Sequence, residues 1–136
     1  MTARSPLTAS DLIQILAGDV THMRTLEGHQ QFEITDVAEG MPSTPLTLTP
    51  DSVKRVLMGL LKREIVPEQA QAWASFVMRG YMSTEGNAIL PILIPYDTNR
   101  ELETADAVAR LEELGDLIDG TMDDDEIRHL MKPLER

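Results

Sequence analysis

The sequence predicts an α+β fold that is mainly helical, with four to five helices and a small β-hairpin or sheet; an all-α bundle is the alternative. Apolar residues recur at helical spacing in several segments that start at a capping residue and stop at glycine or proline. Residues 20–38 instead show partial alternation of apolar and polar side chains, near a central glycine. Residues 88–94 are apolar and interrupted by Pro91, so they are compatible with a short edge strand that pairs with 20–38, or with a helix turn that the proline breaks.

The first helix is expected to begin after Thr8 or Ser10, because either side chain can accept a hydrogen bond from the first helical turn. Gly18 is its expected end, since glycine readily adopts the left-handed conformation that terminates helices. The apolar residues of this helix are closely spaced: Leu12, Ile13, Ile15 and Leu16.

A hairpin is predicted over residues 20–38. Gly28 lies between two segments that contain Thr, Phe, Ile and Val, the residue types that favour strands, and Phe32 and Ile34 alternate with polar neighbours. A helix is the alternative for the first of these segments, because three of its residues also suit helical spacing: His22, Met23 and Leu26.

A loop at residues 40–46 contains two prolines and is the best candidate for an internal boundary in a chain otherwise assigned to one domain, 1–136. The clearest helix follows it, with Thr49 as the N-cap and Pro50 at the first helical position. The spacing of three, four, seven and eight predicts a single apolar face made of Val53, Val56, Leu57, Leu60 and Leu61.

Three further helices are expected. One runs from Pro67 to Gly80 and carries Trp73 on its inner face, and the longest covers residues 99–118. The apolar stripe of that longest helix is predicted to consist of Leu102, Ala105, Val108, Ala109, Leu111, Leu114 and Ile118. The last helix should begin at a cap provided by Thr121 or Asp123 and bury Ile127, Leu130 and Met131.

The composition limits the classes of protein and the compartment. The chain has no cysteine, which excludes disulfides, thiolate metal sites and cysteine nucleophiles. Residues 1–16 lack the basic start and apolar core of a signal peptide, and the longest apolar run is far shorter than the ~20 residues that cross a membrane. We therefore expect a cytoplasmic protein that is not associated with membranes.

The charge is strongly negative and unevenly distributed. The net charge is −11, and residues 97–136 carry 13 acidic and 5 basic side chains. Phosphate repulsion disfavours nucleic acid as a partner, whereas a basic protein or a cation is compatible with this charge. The same acids could also serve solubility alone.

Residues 112–126 hold eight carboxylates and neither lysine nor arginine. They predict a small acidic binding protein without catalysis, of the regulatory or toxin-neutralising type, that presents this stretch to a basic protein partner. A second copy of the chain, in a homodimer, is the other partner considered. The predicted partner-binding residues are Glu112, Glu113, Asp116, Asp119, Asp123, Asp124 and Asp125, with Trp73 as an apolar anchor.

A cation-binding module is the first alternative, with the turn at 116–126 as its site. Aligning Gly120 with the invariant glycine of a calcium loop places Asp119 and Glu126 at ligand positions, but two further ligand positions hold no carboxylate. An irregular calcium or magnesium site is left as the alternative, formed by Asp119, Asp123 and Glu126; otherwise no cofactor is expected.

A small enzyme with a dispersed site is the second alternative. The sequence has no nucleophile elbow, no phosphate-binding loop and no pair of histidines at zinc-binding spacing. Without such a motif, the many carboxylates do not by themselves indicate acid–base catalysis. The sequence thus favours a non-catalytic role.

Overall fold

The helices enclose a single apolar core. The computed structural model describes residues 6–27, 29, 31–41, 47–80, 92, 94–114 and 122–135, with no side-chain description for Glu27, Gln31 and Phe32. Within these ranges there are seven α-helices and no β-strand. They are α1 (Ala9–Leu16), α2 (Arg24–Glu27), α3 (Gln31–Glu39), α4 (Pro50–Leu61), α5 (Pro67–Arg79), α6 (Glu101–Glu112) and α7 (Asp124–Met131). Short 3₁₀ turns at Val20–Met23 and Lys132–Glu135 precede α2 and follow α7.

The α+β prediction is therefore wrong, and the described chain is all-α. The hairpin assigned to residues 20–38 is a 3₁₀ turn followed by α2 and α3. The buried apolar residues of this region lie three or four positions apart within each helical segment, which is helical rather than strand periodicity. They are Val20, Met23, Leu26, Ile34 and Ala38. Burial against the core thus overrides the strand preference of the Thr, Phe and Val residues.

The expected edge strand at 88–94 lies mostly outside the described part of the chain. Residues 88–91 and 93 lie outside the described part of the chain, while Ile92 and Ile94 are buried without forming a strand. The extended contact that does occur is an isolated parallel bridge between Leu48 and Tyr96. Residues 95–97, which follow the predicted strand, therefore pair with Leu48, two residues before α4.

The predicted start of α4 is confirmed. The hydroxyl of Thr49 accepts a hydrogen bond from the backbone N–H of Ser52 at 3.2 Å, and Pro50 occupies the first helical position. The buried face of α4 includes Val53, Val56, Leu57 and Leu60. Arg63 follows the helix at φ +60°, a left-handed backbone conformation that is more common for glycine.

The ends of α5 also match the sequence, since it begins at Pro67 and stops at Gly80. Gly80 has φ +79°, and its N–H donates to the carbonyl of Phe76 at 2.7 Å. A Cβ at this position would lie 2.1 Å from the carbonyl oxygen of Ile92. The close approach of these two backbones thus requires glycine.

The face that α6 buries differs from the prediction. Its buried residues are Thr104, Ala107, Val108 and Leu111, at the spacing of one helical face. Leu102, which was assigned to the stripe, is 77% exposed. It precedes Thr104 by two positions, so it points about 200° away from the buried face. The helix is also shorter than 99–118, and residues 115–118 lie outside the described part.

All seven helices contribute buried side chains to one apolar cluster. Within it, α5 packs against α6, α4 against both α6 and α7, and α1 against α3. Trp73 is fully buried, and its indole N–H donates to the carbonyl of Ile15 at 2.7 Å. This hydrogen bond joins α5 to the end of α1. Of the helices described, none has the length and apolar character needed to traverse a lipid bilayer.

Candidate partner-binding site

The acidic stretch 112–126 lies partly outside the described residues, since residues 115–121, which include Asp116 and Asp119, are not described. Six of its acids can be placed: Glu112, Glu113, Asp123, Asp124, Asp125 and Glu126. They lie at the end of α6 and at the start of α7. Their surroundings divide them into two groups, which differ in the arginines they contact.

The first group bonds to arginines of the same chain. Glu112 contacts Arg79 of α5, with Oε1 and Nη2 2.5 Å apart. Arg110 is only 19% exposed at its side chain and donates from Nε to Glu126 Oε2 at 2.6 Å and from Nη2 to Glu126 Oε1 at 3.2 Å. It also donates to Glu113 at 3.2 Å. Glu112 and Glu126 therefore link helices, whereas Glu113 bonds to an arginine of its own helix, and much of the charge of the three glutamates is compensated within the fold.

The second group, which we call the acidic rim, consists of Asp123, Asp124 and Asp125. Asp123 is the N-cap of α7, since its Oδ1 accepts from the backbone N–H of Glu126 at 2.8 Å. All three stand at the positive end of the α7 dipole, which stabilises carboxylates. The rim thus has a structural role in starting α7.

Two members of the rim are also poorly compensated by arginine. Asp124 and Arg63 approach only to 3.8 Å, and Asp125 and Arg128 to 3.5 Å. The side chain of Asp125 is 97% exposed. Contacts of this length between exposed charges contribute little energy, so both carboxylates are accessible to a cationic partner.

An apolar hollow lies beside the acidic rim. It has a volume of about 230 Å³ and is bounded by the end of α4, the loop before α5, and α7. Its described lining residues are Leu60, Arg63, Ile65, Val66, Pro67, Leu114, Met122, Asp124 and Ile127. A second depression of about 420 Å³ is lined by Arg63, Met122 and the acidic rim. The two share Arg63, Met122 and Asp124, so the apolar and acidic surfaces are continuous.

Val66 forms part of the hollow and is unusual for its position. It is the N-cap of α5, where Ser, Thr, Asp and Asn are preferred, and it makes no side-chain capping bond. Gln69 instead accepts from the backbone N–H of Val66 at 2.9 Å. The valine is 52% exposed. An exposed aliphatic side chain thus replaces a residue that would favour the helix start.

Trp73, the predicted apolar anchor, lies in the core. Its accessible surface is 0%, and the hydrogen bond to Ile15 fixes the indole between α5 and α1. As placed, the ring has no surface with which to contact a partner. The apolar side chains beside the acidic rim are those of the hollow, which the sequence analysis did not identify as a site.

The alternative cation site involves one residue outside the described part, Asp119, and two inside it. Asp123 uses a carboxylate oxygen to cap α7, and both oxygens of Glu126 bond to Arg110. Across the residues that can be placed, no group of three His, Asp or Glu side chains converges as metal ligands. Both carboxylate oxygens of Glu126 are therefore engaged by a cationic side chain of the same chain.

A chain of polar contacts at the start of α1 superficially resembles a catalytic triad. The hydroxyl of Thr8 donates to Asp11 Oδ2 at 3.0 Å, and His22 Nε2 bonds to Asp11 Oδ1 at 2.8 Å. The carboxylate therefore lies between the hydroxyl and the imidazole, whereas a triad needs the imidazole in the middle to remove the hydroxyl proton. The bonds from His22 and from the backbone of Thr8 lower the pKa of Asp11. The arrangement caps α1 and is not suited to activate Thr8.

His29 and Glu33 form a second pair of titratable side chains, with Nδ1 and Oε2 2.7 Å apart. The side chain of His29 is largely buried, and the two residues are four positions apart at the start of α3. Neither residue lines the apolar hollow. The pair is therefore best understood as a local link at the start of α3.

Comparison with protein-family models, with curated proteins and with solved structures finds no match. The residues that sequence reasoning missed are Val66, Ile65 and Arg63. Val66 could have been identified from the sequence, because a proline at the first helical position, Pro67, makes the preceding valine the N-cap.

Proposed function

We propose that this protein is a non-catalytic binding protein that contacts a basic protein segment through the acidic rim. The single observation that carries the proposal is the contrast within the acidic stretch. Glu112, Glu113 and Glu126 bond to arginines of their own chain, whereas the arginines that Asp124 and Asp125 approach among the described residues lie 3.8 and 3.5 Å away. Charge that is exposed and poorly compensated is available to attract and orient a cationic partner.

The surface offered to the partner is smaller than the sequence predicts. Only three of the described acids of 112–126 remain for intermolecular contact, and Asp123 also caps α7. A small charged surface mainly accelerates and orients association, and affinity then depends on adjoining apolar contacts. The proposal is thus of a regulatory or neutralising interaction with a basic protein in the cytoplasm, which agrees with the absence of cysteine.

The test is an affinity capture from the lysate of the source cells at low and moderate salt, with captured proteins identified by mass spectrometry. The native chain is compared with D124K/D125K, which reverses the rim without removing the cap at Asp123. The matched control is E101K/D106K, which makes the same change of charge at exposed positions of α6. We expect a basic protein that is captured by the native chain and the control, lost from the rim variant, and lost as salt rises.

Equal capture of that protein by D124K/D125K and by the native chain would overturn the proposal. Salt-independent capture would do the same, because a contact made through exposed charges weakens as ions screen them. Thermal unfolding of each variant verifies that the comparison is made between folded proteins.

A further inference from the structure

We infer that the apolar hollow receives one bulky apolar side chain, aliphatic or aromatic, from the basic segment that the acidic rim attracts. This inference rests on the proposed function and assigns the part of the site that supplies affinity. Its occupant is a segment in which lysines or arginines flank the apolar residue. The hollow and the depression along the acidic rim share Arg63 and Asp124, so one segment can reach both.

The size of the hollow suits a side chain. Its volume is about 230 Å³. An apolar cavity of about 150 Å³ already holds benzene, so the hollow is large enough for a leucine, methionine or phenylalanine side chain. Its walls include Leu60, Ile65 and Ile127, which offer aliphatic contacts on several sides.

The charge around the hollow selects the flanks of the segment. Asp124 lies in its wall, and Asp123 and Asp125 continue along the adjoining depression. The one basic residue in the wall, among those described, is Arg63, whose side chain is 80% exposed. Arg63 Nη2 lies 3.8 Å from Asp124 Oδ1. A lysine or arginine of the partner can therefore replace Arg63 as the cation that contacts this carboxylate. The carboxylates therefore disfavour an acidic segment and attract a basic one.

Val66 provides the independent support. A serine or aspartate at this N-cap would stabilise α5, yet the chain has an aliphatic residue there with about half of its surface exposed. Local choices that oppose stability are expected where a residue serves a binding site. Val66 and Pro67 line the hollow, and a partner that covered these two side chains would remove apolar surface from water.

The test uses a synthetic peptide in which lysines flank a central leucine, and two matched peptides. In the first, alanine replaces the leucine; in the second, glutamates replace the lysines. Binding to the full chain is followed by NMR of isotope-labelled methyl groups. We expect the lysine–leucine peptide to shift the methyl signals of Ile65, Val66 and Ile127, and to bind about tenfold more tightly than the alanine peptide, the gain expected from burying a leucine side chain.

Two protein variants locate the contact. V66S removes an aliphatic side chain from the lining of the hollow and introduces a preferred N-cap residue for α5, so the variant should fold at least as well as the native chain. L102S removes a leucine that is even more exposed but lies on α6, away from the lining of the hollow. We expect V66S to reduce binding of the lysine–leucine peptide severalfold and L102S to leave it unchanged.

The outcomes separate the two proposals. If the leucine and alanine peptides bind alike and the glutamate peptide does not bind, the inference about the hollow fails and the proposed function stands. If the glutamate peptide binds as well as the lysine one, the proposed function fails. Absence of binding by every peptide overturns both. A native dimer that V66S dissociates in sedimentation analysis would show that a second copy occupies the hollow, which also overturns the inference.

Discussion

Arg110 and Glu126 are joined by two hydrogen bonds between the guanidinium and both carboxylate oxygens, at 2.6 and 3.2 Å. The two residues belong to α6 and α7 and are separated by 16 positions in the sequence. The paired geometry fixes the direction of each side chain, and Arg110 is mostly buried. This contact therefore holds the start of α7 against the last turn of α6.

A double-mutant cycle should detect this contact. For R110M and E126Q, we expect a coupling free energy of about 1 to 2 kcal/mol, because the bonds are charge-assisted and one partner is largely shielded from water. The control cycle is R128M and D125N, an exposed pair on α7 with a separation of 3.5 Å. Its coupling should stay below about 0.5 kcal/mol. Urea unfolding gives both values, and equal couplings would contradict the expectation.

Gly80 should be intolerant of alanine. In G80A, the new Cβ would lie 2.1 Å from the carbonyl oxygen of Ile92, and the residue would keep φ near +79°. The left-handed conformation alone costs about 1–2 kcal/mol, and the clash adds to it. We expect a loss of at least about 2 kcal/mol in the free energy of unfolding.

G40A is the matched control for that substitution. Gly40 does not have a positive φ, and its added Cβ would make ordinary contacts at 3.6 Å and beyond. Loss of glycine's freedom in the unfolded chain should make G40A neutral or slightly stabilising, by up to about 1 kcal/mol. Chemical denaturation of the two variants measures the difference, and similar values would contradict the assignment of Gly80.

Thr104 should be replaceable by valine with a gain in stability. Its side chain is fully buried on α6, and its hydroxyl has no hydrogen-bond partner in the described part of the chain. A buried hydroxyl without a partner loses its hydration, so T104V should raise the free energy of unfolding by about 1 kcal/mol. S52A should instead lower the free energy of unfolding, because the buried Ser52 hydroxyl bonds to the Thr49 hydroxyl at 3.0 Å. A destabilised T104V protein would refute this prediction.

Asp11 should contribute to acid sensitivity. The hydrogen bond from His22, followed by that from the backbone of Thr8, lowers its pKa below the ordinary value of 3.8. A carboxyl whose pKa is lowered by folding stabilises the native state above its unfolded pKa, and this contribution disappears as pH falls through the folded value. Below about pH 4 the native chain should therefore lose stability more steeply than D11N.

Unfolding experiments at a series of acidic pH values test this dependence. D106N, which alters an exposed carboxylate of α6, is the control and should follow the native chain. Parallel curves for D11N and the native chain would show that the bonds to His22 and Thr8 have no influence on stability. If D11N lost stability more steeply than the native chain as the pH falls, the direction of the pKa change of Asp11 would be contradicted.

The sequence predicted those elements whose signals are local. Thr49 and Pro50 start α4, and Pro67 and Gly80 bound α5, because caps and helix breakers act within a few residues. The prediction of a hairpin at 20–38 was wrong because the strand-favouring residues of this region coexist with the three-residue, helical spacing of Val20, Met23 and Leu26. Whether such a segment forms a strand or a helix depends on which of its faces the rest of the core covers.

The candidate site was less predictable for a physical reason. A stretch of carboxylates without lysine or arginine looks uncompensated along the sequence, yet Arg79 and Arg110 reach Glu112 and Glu126 from other turns and helices. Such long-range pairing depends on helix packing and leaves no local pattern. Val66 was accessible to sequence reasoning, since a valine directly before a helix-starting proline is an unfavourable cap.

The fluorescence of the buried indole of Trp73 is sensitive to the packing of α1 against α5. It is the only tryptophan of the chain, so the emission excited in that chromophore comes from one place, the junction of α5 with the carbonyl of Ile15. Separation of α1 from α5 would hydrate the ring and shift its fluorescence to longer wavelength without any label. Occupation of the hollow at Val66 would leave that signal unchanged unless α5 moved, so one spectrum separates local docking from rearrangement of the core.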